Sequence, residues 1–175
     1  VSKTLSIDQD LSSTGNQTLT AAGGITISGA RTFTSTSGTI NTASALSGNS
    51  SFDISGNADI DGAITGITTF SVSGTSNIGA DVTTSSTQTY SGAVTLSANV
   101  DLTGTTVTTN GTVAGGTNNL TVTGNAVFGN GTADTVTGVA VLDVTGNTTI
   151  NTNTITTSST QTYGDATSDT ITIGA

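Results

Sequence analysis

The chain repeats itself. Residues 1–11 (VSKTLSIDQDL) run in register with residues 72–82 (VSGTSNIGADV), and a third copy starts at Val144, so successive copies lie 71 and 72 residues apart. The repeat units are 1–71, 72–143 and a partial 144–175. Each copy must solve the same burial problem in the same way, and that restricts the fold before any single residue is weighed. A shared element continues the register: Gln17-Thr18-Leu19, Gln88-Thr89-Tyr90 and Gln161-Thr162-Tyr163 are equivalent, and TTSSTQTY recurs letter for letter at 83–90 and 156–163. A shorter phrase is nested inside: FDISGNADI (52–60), FSVSGTSNI (70–78), LTVTGNAVF (120–128) and LDVTGNTTI (142–150). These copies start 18 and 22 residues apart, the period of a stacked solenoid.

Alternation of apolar and polar residues, as in Leu142-Asp143-Val144 and Ile171-Thr172-Ile173, is strand periodicity, and no stretch has helical spacing. Thr, Ser, Gly, Asn, Val and Ile dominate, and they favour strands and turns. Aromatic residues make up only 3% of the chain, too few for a wide globular core, whereas a narrow solenoid needs only a thin apolar column. The expected fold is therefore all-β: a single domain over 1–175 forming a parallel β-solenoid with some eight turns of roughly 20 residues. In it Phe52 and Ile54 point inward, Gly56 permits the bend, Ile60 returns inward, and Asn57, Asn125 and Asn147 occupy a turn or a stacked amide ladder. Spacing after the Gln-Thr-Leu/Tyr element varies, from Leu19 to Ile25, Tyr90 to Val94 and Tyr163 to Ile171, which places insertions at a corner. The alternatives are tandem β-sandwiches of about 70 residues and a trimeric fibre.

Eleven Asp against Lys3 and Arg31 give a net charge of −9, a surface that repels nucleic acid and anionic membrane. No apolar run approaches the roughly 20 residues of a membrane-spanning helix. Absence of Cys means that no disulfide braces the fold. Val1 falls inside a repeat unit, which reads as part of something longer.

His, Cys and Glu are absent, which removes Ser-His-Asp and Cys-His catalysis and leaves Asp, Tyr or Lys3 for acid–base work. Asp59/Asp61 and Asp8/Asp10 are paired at i, i+2 on one strand face and are read as solvated outer surface. Neither pair recurs intact, since Asp10 matches Asp81 but Asp8 matches Gly79. The chain is accordingly expected not to be an enzyme. Calcium is the one cofactor the acidic residues suggest: Asp134, in GNGTADTV (129–136), partly matches a calcium-binding β-helix repeat, and Asp165 with Asp169 form a second loose candidate. Tyr90 and Tyr163 resemble carbohydrate platforms, but Leu19 at the matching position favours half-buried packing. Sequons such as Asn119-Leu-Thr121 and Asn147-Thr-Thr149 follow from the abundance of Thr.

The wording of these repeats (LTVTGNAVFGNG, LDVTGNTTI and the stretch from Thr83 to Val113) resembles the β-strand repeats of very large secreted bacterial surface proteins, akin to the filamentous haemagglutinin and autotransporter-passenger families. The resemblance covers nearly the whole chain and is clearest from Phe52 to Tyr163. It implies a right-handed parallel β-helix exported to the cell surface as an adhesin stalk or filament. The stretch from Gly164 to Ile173 is similar to repeats of phage tail fibres, which implies a fibre shaft instead. The partners expected are further copies or further repeats, by end-to-end stacking, together with a host or cell-surface glycan. A polysaccharide-degrading enzyme on the same helix is the remaining alternative.

Overall fold

The structure is a computed structural model and describes residues 2–174; Val1, where the first repeat copy begins, lies outside the described residues. Short parallel strands stack into a β-solenoid of about nine turns of roughly 19 residues, with no helix among the described residues. This is the all-β solenoid anticipated above, with one turn more than expected, and neither tandem sandwiches nor a three-chain prism is needed to explain it.

Each turn visits three faces. Face I begins with Leu5–Ile7, face II with Leu11–Ser13 and face III with Gln17–Leu19, after which the chain returns to face I at Ile25–Ile27. Pairing is parallel throughout. On face I the inward positions run Leu5, Ile25, Leu46, Ile64, Val82, Leu102, Val122, Val144, Tyr163. On face II they run Leu11, Phe33, Ile54, Val72, Tyr90, Thr109, Phe128, Ile150, Ile173. Face III has one strand fewer, with Gln17, Ile40, Ala58, Ser76, Val94, Val113, Val136 and Ile155 in register.

The side chains between these positions point outward, as strand alternation requires, so the apolar ones gather into one axial column. Phe33, Phe52, Phe70 and Tyr90 form its widest part, with neighbouring ring centroids 4.9, 5.5 and 5.9 Å apart in edge-on or tilted contact. Phe52, Ile54 and Ile60 are buried as expected. The column also carries small polar groups: the hydroxyls of Thr42, Ser76, Thr109 and Thr148 are buried without a hydrogen-bond partner. Each costs about 1–3 kcal/mol relative to a paired group.

Corners form in two ways. In Phe52–Ile60 and Leu120–Phe128 the strand bends without ending, at Gly56 (φ 138°) and Gly124 (φ 126°). A Cβ on Gly56 would lie 2.5 Å from the Ser35 carbonyl oxygen of the turn below, so glycine is required both by the dihedral and by the close approach. Elsewhere the strand stops and a loop crosses the corner. The variable segments 20–24, 91–93 and 164–170 are such loops, as the spacing implied, but they lie at three different corners.

The 71- to 72-residue repeat is out of phase with the turn. It spans nine strands, two of which run over two faces, and the resulting eleven face segments leave each copy one face behind the last. Ile7 therefore lies on face I, Ile78 on face III and Ile150 on face II, while Leu19, Tyr90 and Tyr163 lie on faces III, II and I. The nested nine-residue phrases, by contrast, do stack: 52–60 lies on 70–78 and 120–128 on 142–150.

Candidate functional site

The polar chemistry of the molecule is built at the corners. A parallel ladder hydrogen-bonds through slanted, evenly spaced bonds, and where the chain enters a new face the first outward N–H has no carbonyl in the turn below to receive it. Seven Asn or Asp side chains supply the missing oxygen. In each case Oδ1 accepts the backbone N–H of the residue in the same register one turn on, at 2.8–3.0 Å: Asp10 from Thr32, Asn16 from Thr39, Asn57 from Thr75, Asp81 from Asp101, Asn99 from Asn119, Asn125 from Asn147, and Asn147 from Thr170. All three corners use the device. Asn57 and Asn147 also accept the Thr75 and Thr170 hydroxyls.

Sequence reasoning placed Asn57, Asn125 and Asn147 at a turn or a stacked amide ladder, and did not assign the capping role to Asp10, Asn16, Asp81 or Asn99. The available signal was an Asn or Asp directly before an inward residue at the start of a strand. The recurrence of Asp10 as Asp81 is explained: both cap the turn that follows.

The Gln-Thr-Tyr element is a second recurring device. Gln88 Nε2 donates to the Val82 carbonyl at 2.8 Å and to the Thr103 carbonyl of the next turn at 2.8 Å, while Tyr90 Oη donates to Gln88 Oε1 at 2.9 Å. One repeat later and one face back, Gln161 Nε2 faces the Ile155 carbonyl at 3.5 Å and Tyr163 Oη donates to Gln161 Oε1 at 2.9 Å. Identical octapeptides thus make the same corner on different faces. Tyr90 is fully buried, and burial pushes its hydroxyl well above the usual tyrosine range; Tyr163 is half-buried and raised for the same reason. Tyr90 packs in the core and is no platform for a sugar.

Of the calcium candidates, Asp134 lies at the corner from face II to III, and Asp165 and Asp169 at the corner from face I to II. Asp134 Oδ2 accepts the Asn130 N–H at 3.1 Å, and Asp169 Oδ2 accepts the N–H groups of Asp165 at 3.0 Å and Ala166 at 2.8 Å. Each closes its own loop, five residues after a glycine at φ 77° (Gly129) or 82° (Gly164). Asp165 is exposed. The structure does not bring the three together, and no group of three acidic side chains forms a metal-ligating cluster among the described residues.

The paired carboxylates are surface groups. Asn41, Asp59 and Asn77 stack on the outer side of face III, where Asp59 accepts from Asn41 at 2.7 Å and from Asn77 at 2.8 Å, and Asn41 also donates to Asp61 at 2.8 Å. A shallow polar groove lined by Asn57, Asp59, Thr75, Asn77 and Thr95 runs beside them. Asp8 is exposed on the first turn.

The two ends complete the picture. Leu5 at the first turn, and Ile171 and Ile173 at the last, are 40%, 52% and 71% exposed, although their equivalents in the middle of the stack are buried. No helix is long and apolar enough to cross a membrane among the described residues. Compared with protein-family models, curated proteins and solved structures, the chain matches none.

Proposed function

We propose that the chain is a structural, adhesive segment of an extracellular bacterial surface filament or stalk, a right-handed β-helix that assembles by end-to-end β-stacking. The observation that carries this reading is the parallel ladder, which runs turn upon turn along three faces around one apolar column. Its work is mechanical: ladders along the axis resist extension, while the outer Thr, Ser and Asn side chains stay hydrated and offer polar contacts to a host or cell-surface glycan. With Lys3 and Arg31 the only cations, the surface gives trypsin-like proteases little to cut and has no affinity for nucleic acid. The reading assigns the chain no catalytic step.

Negative-stain electron microscopy across a concentration series, with and without a calcium chelator, tests it. Narrow filaments of constant width that lengthen with concentration are expected. Isolated rods of one length would overturn end-to-end stacking, and an obligate trimer by mass would favour a fibre shaft. Loss of filaments on chelation would show that assembly needs a divalent cation and favour the Asp134 loop or the Asp165/Asp169 loop as its site; unchanged filaments would leave Asp134 and Asp169 as loop caps.

A further inference from the structure

Where a strand stops at the corner from face II to face III, the chain crosses in three residues: 14–16, 73–75, 91–93, 110–112 and 151–153. One crossing, 129–134, takes six. Contact with the neighbouring turns is kept at its margins, where the Gly129 N–H donates to the Thr109 carbonyl at 2.6 Å and the Asp134 carbonyl accepts from Asn153 at 2.9 Å. Between those points the backbone is held only from within the loop, by the Asn130 N–H on Asp134 Oδ2 at 3.1 Å and the Asp134 N–H on the Gly131 carbonyl at 3.2 Å. A segment tied by so few bonds opens locally at low cost.

This bulge carries Asn130-Gly131, an asparagine followed by the one residue type whose peptide nitrogen has no side chain beside it. Such a nitrogen can close onto the preceding side chain. The Gly131 nitrogen gives up its proton and bonds to Asn130 Cγ; the Cγ–Nδ2 bond breaks, and the amide nitrogen leaves as ammonia with that proton. Water then opens the succinimide at one carbonyl or the other, leaving aspartate or its β-linked isomer at position 130. We infer that Asn130-Gly131 undergoes this self-modification in the folded protein, and that the winding protects the chain's two other Asn-Gly or Asp-Gly dipeptides, Asn110-Gly111 and Asp61-Gly62.

The surroundings of the three glycines separate them. A Cβ built on Gly131 would meet nothing within 4 Å, and the Gly131 N–H donates to no group among the described residues. Gly111 lies directly on the turn below, where a Cβ would come within 2.9 Å of the Gly92 carbonyl carbon, and Asn110 is fixed by its own N–H to the Tyr90 carbonyl at 2.9 Å. Ring closure there would turn the Asn110-Gly111 peptide out of the stack. At Asp61-Gly62 the nitrogen itself is occupied, since buried Gly62 donates to the Thr42 carbonyl at 2.6 Å. Exposure runs the same way for the asparagines: Asn130 is exposed and Asn110 half-buried.

The product changes the corner. With its amide nitrogen toward the Asn110 carbonyl and Asp134 Oδ2, each at 3.3 Å, the Asn130 side chain faces two acceptors. A carboxylate in its place meets like charge on Asp134, so the modification weakens the contact that closes the loop.

The spacing of the aspartates makes the reaction readable, because cleavage before each Asp yields one peptide, 101–133, that holds both Asn-Gly pairs. The purified chain is kept in mildly alkaline buffer, folded and in urea, and that peptide is followed by mass spectrometry while circular dichroism establishes that the folded sample stays folded. In the folded chain, the mass gain of amide-to-acid exchange is expected at Asn130 and not at Asn110; in urea both should convert. Part of the product should be cut anew after Gly129 and part should resist, because aspartate and its β-linked isomer arise together from the ring. Gly131→Ala, whose methyl group fits the open space, should strongly reduce the gain at Asn130 without altering the dichroism. Conversion of Asn110 as fast as Asn130 in the folded chain, an unchanged Asn130 while urea converts both, or an undiminished gain in Gly131→Ala would each overturn the site.

Discussion

Tyr90 and Gln88 are the most deeply placed polar pair in the molecule, and their burial makes a test at the residue scale. The Tyr90 hydroxyl is held neutral by its desolvated position, above its ordinary value near 10. A group whose folded pKa is raised contributes stability that is fully present below its unfolded value and is lost as pH rises above it. Stability should thus be insensitive to Tyr90 up to about pH 10 and then fall by at most about 1.4 kcal/mol per pH unit for this one proton. Urea unfolding at pH 9, 10 and 11 measures the slope, and Tyr90→Phe should flatten it while lowering stability at neutral pH, because Gln88 Oε1 then loses its donor. An equal alkaline slope in the variant would place the titration elsewhere.

At the scale of the element, most strands here are only three or four residues long and cannot stand alone; their ends are defined by what the corner does with the first free N–H. The Asn and Asp caps make each corner dependent on the turn below it. Asn57→Ala removes the acceptor of both the Thr75 N–H and the Thr75 hydroxyl and should cost about 0.5–1.5 kcal/mol, the net worth of an exposed hydrogen bond. Asn57→Asp keeps the oxygen and should retain most of that, since Asp10 and Asp81 already serve in the same role. Urea midpoints of the two variants decide it; equal losses would mean that the cap contributes shape rather than an acceptor.

At the scale of the whole molecule, each turn touches only its neighbours, so stability is a sum along one axis and is lowest where a neighbour is missing. Amide exchange in the dispersed chain should be slowest around the aromatic column from Phe33 to Tyr90 and fastest at Ile171–Ile173. Assembly should slow exchange at both ends and leave the middle unchanged. Uniform protection along the dispersed chain would contradict nearest-neighbour stacking.

Much of this was legible in the chain itself. Alternation of apolar residues, the nested 18- and 22-residue phrases and the lack of large side chains determine a parallel solenoid, because only stacked turns satisfy a repeated pattern with so thin an apolar column. Phe52, Ile54, Gly56 and Ile60 could be placed from the phrase alone, since their roles depend on local geometry. The local role of the acidic candidates was not legible: Asp134 and Asp169 each accept backbone N–H groups of their own loop, a partnership set by how the loop folds back at its corner and not by the spacing of carboxylates along the chain. Nor does the long repeat reveal its own phase. Seventy-one residues look like a structural unit in the sequence, but the number of faces per circuit is settled by how side chains close around the axis, and eleven face segments do not divide by three. The sequence by itself determined that the chain stacks; tertiary packing alone decided which face each copy of the repeat presents.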